Sequence, residues 1–415
     1  AHLDSAVAAS VLPAGAAIDC AAATEALNAL ERTHGIVVYV ADDTDTAWSR
    51  RCVRQADLVL AVAHHGGDAD VNPVESAAYA LVAEDQRRLV LLHQARRIAR
   101  GTSRWLERRK VGMHHHVALD DPADIARLCR FITGTARGLV ASGGGAYCAA
   151  HIGAYQALCE AGVTFDIMGG TSGGSAMAAA FLMGRDSETI AHAVNEMFVV
   201  DRAMKRYTWP RYGLIDHTYY DERLRQQCDD LDVEDLWLPF FSISTNLSRY
   251  ALEVHRRGPL WLAVRASSAI PVLLPPYYSA AGEMLVDGCL LDNVPVETMH
   301  ALKSGPNVVV SFAPTDYRTF DVKYDARAKL TRAPLPDAPG IGDVLLRSLM
   351  ANRTDYERHI GDRDLLLVPP LPPGAGPLDW HRHREFIDAA YEYCIGELVA
   401  AKQKRHAVFE TGAVD

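Results

Sequence analysis

Residues 137–158 read RGLVASGGGAYCAAHIGAYQAL, with three consecutive glycines set between a short apolar run and a stretch of helical character. A glycine-rich strand-to-helix turn aims its backbone N–H groups at negative charge. Two kinds of ligand fit: the standing phosphate of a nucleotide, or an oxyanion that exists only during a reaction. A dinucleotide turn wants G-x-G-x-x-G and an acidic residue about 20 positions on. Here the third glycine position holds Cys148, and Asp166 precedes the next strand instead of ending it. The spacing favours the oxyanion.

A second motif strengthens that reading. GTSGG, Gly170 to Gly174, matches G-x-S-x-G between the strand-like TFDIMGG and the small-residue helix SAMAAAFLMG. Such a turn lifts Ser172 clear of a sheet as a nucleophile, and the helix start beyond it favours developing negative charge. Ester hydrolysis passes through a tetrahedral oxyanion, for which each backbone donor is worth roughly 3 kcal/mol. Gly143, Gly144 and Gly145 lack side chains and approach a reacting carbon closely; Gly173, directly after the nucleophile, supplies a further donor. The base is sought in VDGCLLDNVPV, where Asp287 follows a strand and is held by a glycine turn. With a reference pKa of about 4 a carboxylate is a weak base, so it needs partial desolvation or a directed hydrogen bond.

Outward from these motifs the chain alternates strands and helices. GIVVYV (residues 35–40) reads as a buried strand, followed by a helix at TAWSRRCVRQA. DLVLAVA, PVESAAYALVAEDQ and RLVLLHQ repeat the alternation, giving a small parallel α/β unit over about residues 30–134. Later strands are expected at FFSISTNL (240–247), EMLVDG (283–288) and NVVVSFAP (307–314). Residues 317–342 are polar and proline-rich and read as a long loop; two amphipathic helices follow, at IGDVLLRSLMANRTDYERHI and WHRHREFIDAAYEYCIGELVAAKQ. The expected domains are 1–136, a catalytic 137–302, and 303–415 completing the latter.

Composition removes several classes. A net charge of −10 argues against a broad nucleic-acid-binding surface. Eight scattered cysteines with no Cys-x-x-Cys pair read as reduced thiols in a cytoplasmic protein. Residues 1–30 lack a signal-peptide pattern, and the uncharged residues 167–184, with five glycines, read as a buried turn and helix and not a membrane span.

Taken in order, GGGAYCAAHIG, GTSGGS and DGCLLDNVP resemble the patatin-like phospholipase family. The upstream pieces WSRRCVRQADLVLAV, RLVLLH, TSRWLERRKV and HHHV resemble its neuropathy-target-esterase branch, so the likeness covers about residues 35–300. The resemblance implies a three-layer α/β/α sandwich preceded by a smaller parallel α/β domain. It further implies hydrolysis of lipid acyl esters, often lysophospholipids or phospholipids, by a Ser-Asp dyad without a catalytic histidine. Ser172 is then the nucleophile, Asp287 the base, and Gly143 to Gly145 the oxyanion loop; no metal or organic cofactor is needed. In that branch the N-terminal segment follows cyclic-nucleotide-binding domains, which in a longer native chain would lie upstream of residue 1. Two departures stand out: Tyr147 and Cys148 occupy the places of a cation and a glycine, and Cys289 that of a glycine or alanine.

Other readings stay open at this level. His300 or His359 follows Asp287 in the order a Ser-Asp-His triad requires. A turn that has drifted at Tyr147 and Cys148 also suits a non-catalytic lipid-binding or regulatory protein. His114 to His116 lack partners at zinc-ligand spacing. H-x-x-x-x-D occurs at His65–Asp70 and His115–Asp120 without the context of an acyltransferase. DRAMKRY (201–207) is a basic stretch suited to a peripheral contact with an anionic membrane, and FVV (198–200) and AIPVLLPPYY (269–278) are candidate acyl-pocket linings.

Overall fold

A computed structural model describes residues 1–13, 17–312 and 356–410, together with Val344 and Ser348. The chain falls into two units, Ala1–Ile125 and Ala126–Asp415. In the first, β1 (His2–Leu3) pairs in parallel with β2 (Val38–Tyr39). A separate parallel sheet follows the chain order β3 (Val59–His64), β4 (Arg87–His93), β5 (Met113–Ala118). Parallel neighbours need crossovers; the one from β3 to β4 is the helix Pro73–Leu81. Asn72 caps it by accepting from the Glu75 N–H, and Pro73 starts it where a missing N–H costs nothing. The expected buried strand at 35–40 shrinks to two residues, with Val38 48% exposed. Its partner is itself only two residues long, so the ladder cannot extend, and only Val37 and Tyr39 pack inward, against the core of Leu3, Leu27 and Trp48.

The second unit holds β6 (Gly138–Ala141), β7 (Ile167–Thr171), β8 (Phe240–Asn246), β9 (Ala251–His255), β10 (Tyr277–Tyr278), β11 (Met284–Asp287), β12 (Asn307–Val310) and β13 (Leu365–Leu367). They form one mixed sheet in the order β10-β11-β8-β7-β6-β12-β13, with β9 also on β8. Its helices include α1 (Ala150–Glu160), α2 (Gly173–Leu182), α3 (Ser187–Val194), α4 (Thr218–Gln227), α5 (Leu260–Ser267), α6 (Val296–Leu302) and α7 (His383–Gln403). Strand periodicity sorts the layers. Leu139, Val308 and Val310 join one apolar core with Ile152 of α1 and Phe386 of α7. Gly138 faces Met299 of α6 on the other side. The result is an α/β/α sandwich behind a smaller parallel α/β unit.

Residues 167–184 resolve into β7, a turn and α2, all largely buried. Among the described residues no helix is long and apolar enough to cross a membrane. The expected loop at 317–342 lies outside the described residues, as does most of the first C-terminal helix, of which Tyr356–His359 is a short 3-10 turn. The second is α7.

The registers of β8 position the site. β7 pairs with Phe240 to Ile243 in parallel, and β11 pairs antiparallel with Ser244 to Asn246. β9 occupies the opposite edge over Ser242 to Asn246, so β7 and β11 meet end to end along one edge. Thr171 lies across from Ile243 and Asp287 across from Ser244. The residue after β7 and the last residue of β11 are thereby brought face to face. Gly288 sits at this junction, where a β-carbon would strike the Ile243 carbonyl oxygen and Thr171 Cγ2.

Candidate active site

Ser172 follows β7 with φ 53° and ψ −128°, a backbone conformation costly for a residue with a side chain. Two anchors hold it there. Its N–H donates to Ser267 Oγ at 2.7 Å, and the Ser267 hydroxyl donates in turn to the Ile243 carbonyl of β8. Its hydroxyl donates to Asp287 Oδ2 at 2.6 Å. Ser172 is 5% exposed and Asp287 1%. Asp287 Oδ1 accepts the Cys289 N–H at 2.9 Å, and the Asp287 N–H donates to the Ala269 carbonyl at 3.0 Å. Cys289 thus orients the carboxylate through its backbone N–H, which any residue except proline at that place supplies.

The glycine loop is clamped from the segment that follows Asp287. The Gly143 N–H donates to the Asn293 carbonyl at 3.1 Å, and Asn293 Nδ2 donates back to the Gly143 carbonyl at 3.1 Å. The Gly143 N–H, one of the expected oxyanion donors, is here engaged in holding the shape of the loop. The N–H groups of Gly144, Gly145 and Gly173 have no acceptor among the described residues. Gly145 has φ 60°, and a β-carbon there would run into the Pro377 carbonyl oxygen, which the Ala146 N–H already holds at 2.8 Å.

Tyr147 and Cys148 have structural employment. The Tyr147 hydroxyl donates to the Ala375 carbonyl at 2.8 Å, and its ring meets Phe386 of α7 edge-on at 5.7 Å. Cys148 is fully buried, its sulfur 3.5 Å from the Ser142 carbonyl and closest to the space a side chain at Gly173 would need. His151 of α1 is buried behind the loop, its Nε2 2.9 Å from the same carbonyl. Burial pushes its pKa down from 6.5 to about 4.

The remaining candidates lie elsewhere. His300 Nε2 pairs with Asp364 Oδ2 at 2.8 Å and His359 with Glu297 at 3.0 Å. Asp166, the acid of the dinucleotide alternative, is gripped by Arg130 at 2.6 and 2.9 Å and by the Arg137 N–H at 2.8 Å. In the first unit His116 Nδ1 lies 3.0 Å from His93 Nε2. Among the described residues no three His, Cys, Asp or Glu side chains are grouped to hold a metal.

A cavity of about 100 Å³ starts one turn along α2 from Ser172, at Ala176, and runs past Ala180 to Met183. Ile190 and Val194 of α3, Phe198, Leu224 of α4 and Val264 of α5 complete its apolar wall, with Arg185 and Gln227 also lining it. Tyr220 links the cavity to the dyad: its hydroxyl lies 2.9 Å from Ser268 Oγ, beside Ser267. Burial raises the pKa of its phenol, with Asp221 and Asp287 adding to the rise. Of the expected linings Phe198 takes part, whereas residues 269–278 do not. Sequence reading missed Ser267 and most of this cavity, because its wall draws on separate segments from Ala176 to Val264. Asn293 was within sight, inside the motif that carries Asp287.

Comparison with known proteins adds the following. A family model described as patatin-like phospholipase matches residues 139–300, and one described as the Neuropathy Target Esterase family P-loop like domain matches residues 10–141. Patatin-like phospholipase domain-containing protein 7 of Rattus norvegicus is 31% identical over 313 residues, covering 68% of this chain and 23% of the relative. Neuropathy target esterase sws of Drosophila melanogaster is 30% identical over 317 residues, covering 68% and 22%. The chain therefore spans under a quarter of the length of these relatives. The crystal structure of VipD from Legionella pneumophila is similar over 64% of this chain and 67% of its own, at 15% identity and a TM-score of 0.36.

Proposed function

Given that the chain carries a patatin-like phospholipase domain behind a Neuropathy Target Esterase family P-loop-like domain, we propose that it hydrolyses lipid acyl esters through Ser172 and Asp287. The observation that carries this is the 2.6 Å hydrogen bond from a serine on a strained strand-to-helix turn to a buried carboxylate. Ser172 Oγ attacks the acyl carbonyl while its proton passes to Asp287 Oδ2. The tetrahedral oxyanion is received by the N–H groups of Gly144, Gly145 and Gly173. Collapse breaks the ester bond, Asp287 returns the proton to the departing alcohol, and the acyl group stays on Ser172. Water then attacks the acyl-enzyme, giving its proton to Asp287; Ser172 leaves with that proton and the fatty acid is released.

The cavity along α2 takes the acyl chain, since it is apolar and begins one helical turn from the nucleophile. Lysophospholipids and phospholipids are the substrate class this reading favours. A cytoplasmic place accords with eight free thiols, and a peripheral position at a membrane accords with a lipid substrate. The test is release of p-nitrophenol from a short ester by Ser172→Ala and Asp287→Asn proteins. Each is expected to lose on the order of 10⁴-fold in kcat while keeping the wild-type circular dichroism. Retained turnover in Ser172→Ala would refute the proposal. His300→Ala and His359→Ala serve as controls; a comparable loss in either would favour a triad.

A further inference from the structure

The chain from Phe198 to Ile215 leaves the cavity wall, passes through solvent and returns beside the dyad. Met197 and Phe198 line the cavity. Beyond them Tyr207, Trp209 and Tyr212 stand 74%, 85% and 67% exposed. Arg202, Lys205, Arg206 and Arg211 are exposed among them. Arg206 lies over the ring of Tyr219 at 3.9 Å and Arg211 over Tyr212 at 5.1 Å. Asp201, the one acid between residues 200 and 212, is half-buried, 3.5 Å from Arg223, and accepts from the Tyr219 hydroxyl. On the return, the Leu214 and Ile215 N–H groups donate to the carbonyls of Val272 and Leu273 at 2.8 and 3.0 Å. Val272 is three residues beyond Ala269, whose carbonyl holds the Asp287 N–H.

Large amphipathic aromatics standing in water have lost the burial that normally accounts for them, and a Trp or Tyr ring is at home in the interface of a bilayer. Clustered cations add attraction for anionic headgroups. The net charge of −10 is of the wrong sign for such a surface, so the attraction must be local to this segment. We infer that residues 200–212 are a docking element that seats the protein on an anionic lipid surface beside the entrance to the Ser172 site. The inference borrows its purpose from the lipid-ester reading, but its chemistry is independent of catalysis: aromatic rings enter the headgroup layer and the four cations meet lipid phosphates.

Co-sedimentation of the full chain carrying Ser172→Ala tests it, because vesicles then stay intact whatever the active site does. Vesicles of phosphatidylcholine mixed with phosphatidylglycerol should carry the protein down, and vesicles of phosphatidylcholine alone should not. Changing Tyr207, Trp209 and Tyr212 to Ala, or Arg202, Lys205, Arg206 and Arg211 to Gln, should weaken binding by about 100-fold. High salt should do the same to the unaltered loop. In the Ser172 background, both loop variants should keep their kcat/KM on a soluble short ester and lose turnover on mixed vesicles. Failure of the Ser172→Ala protein to bind mixed vesicles would overturn the inference, as would binding that both loop variants retain. Neither outcome bears on the hydrolysis of soluble esters, so the two proposals fail separately.

Discussion

Asn293 decides which glycine N–H groups are free, since it consumes that of Gly143 and leaves those of Gly144 and Gly145. Asn293→Ala should cost about 1–3 kcal/mol of stability by leaving a buried carbonyl unpaired. It should also lower kcat by roughly tenfold or more while Ser172 remains reactive toward a fluorophosphonate; chemical unfolding and steady-state kinetics check the two parts. His151 makes a pH-dependent demand. Its folded pKa, about 4, lies below the ordinary 6.5, so the folded state resists the proton. The stability this residue permits is complete above pH 6.5 and is lost as pH falls through 4, by an amount on the order of 3 kcal/mol. Unfolding curves of His151→Gln should show a flatter slope across that window. The proposed nucleophile, base and glycine loop were legible because each belongs to a contiguous motif with its own local geometry. The fate of Tyr147 was not, because Ala375 and Phe386 come from beyond residue 370. Tyr147→Arg, which the resemblance invites, would put a guanidinium into that packed site, and a lower melting temperature is expected, not a new headgroup preference.

At the scale of elements, Ser172 meets Asp287 because β7 and β11 share one edge of β8. Gly288→Ala pushes a methyl group between them and should cost about 1–3 kcal/mol as overpacking does. Because the shift falls between Thr171 and β8, turnover should drop further than stability alone accounts for; comparing kcat with the folded fraction separates the two. The strands themselves were legible as short apolar runs, but the end-to-end placement of β7 and β11 on β8 joins segments far apart in sequence. The cavity is likewise assembled from α2, α3, α4 and α5 and has no contiguous signature. Ala180→Phe should fill its middle and shift preference toward shorter acyl esters. Each methylene that no longer fits should cost about fourfold in kcat/KM, measured over a series of p-nitrophenyl esters.

For the whole molecule, net charge and composition excluded classes of partner but located nothing. The basic run at residues 201–207 was visible in the sequence. What the sequence could not supply is that Tyr207, Trp209 and Tyr212 are left uncovered around it, since exposure depends on how α3, α4 and the 270–276 segment close over everything else. The proposed chemistry belongs to the second of the two units. That chemistry rests on Ser172 being a reactive nucleophile. The most direct measurement is peptide mapping by mass spectrometry after treatment of the folded protein with a fluorophosphonate. The account predicts one adduct, on Ser172, absent from Ser172→Ala and strongly slowed in Asp287→Asn. An unlabelled Ser172 in folded protein, or an adduct on another residue, would contradict it.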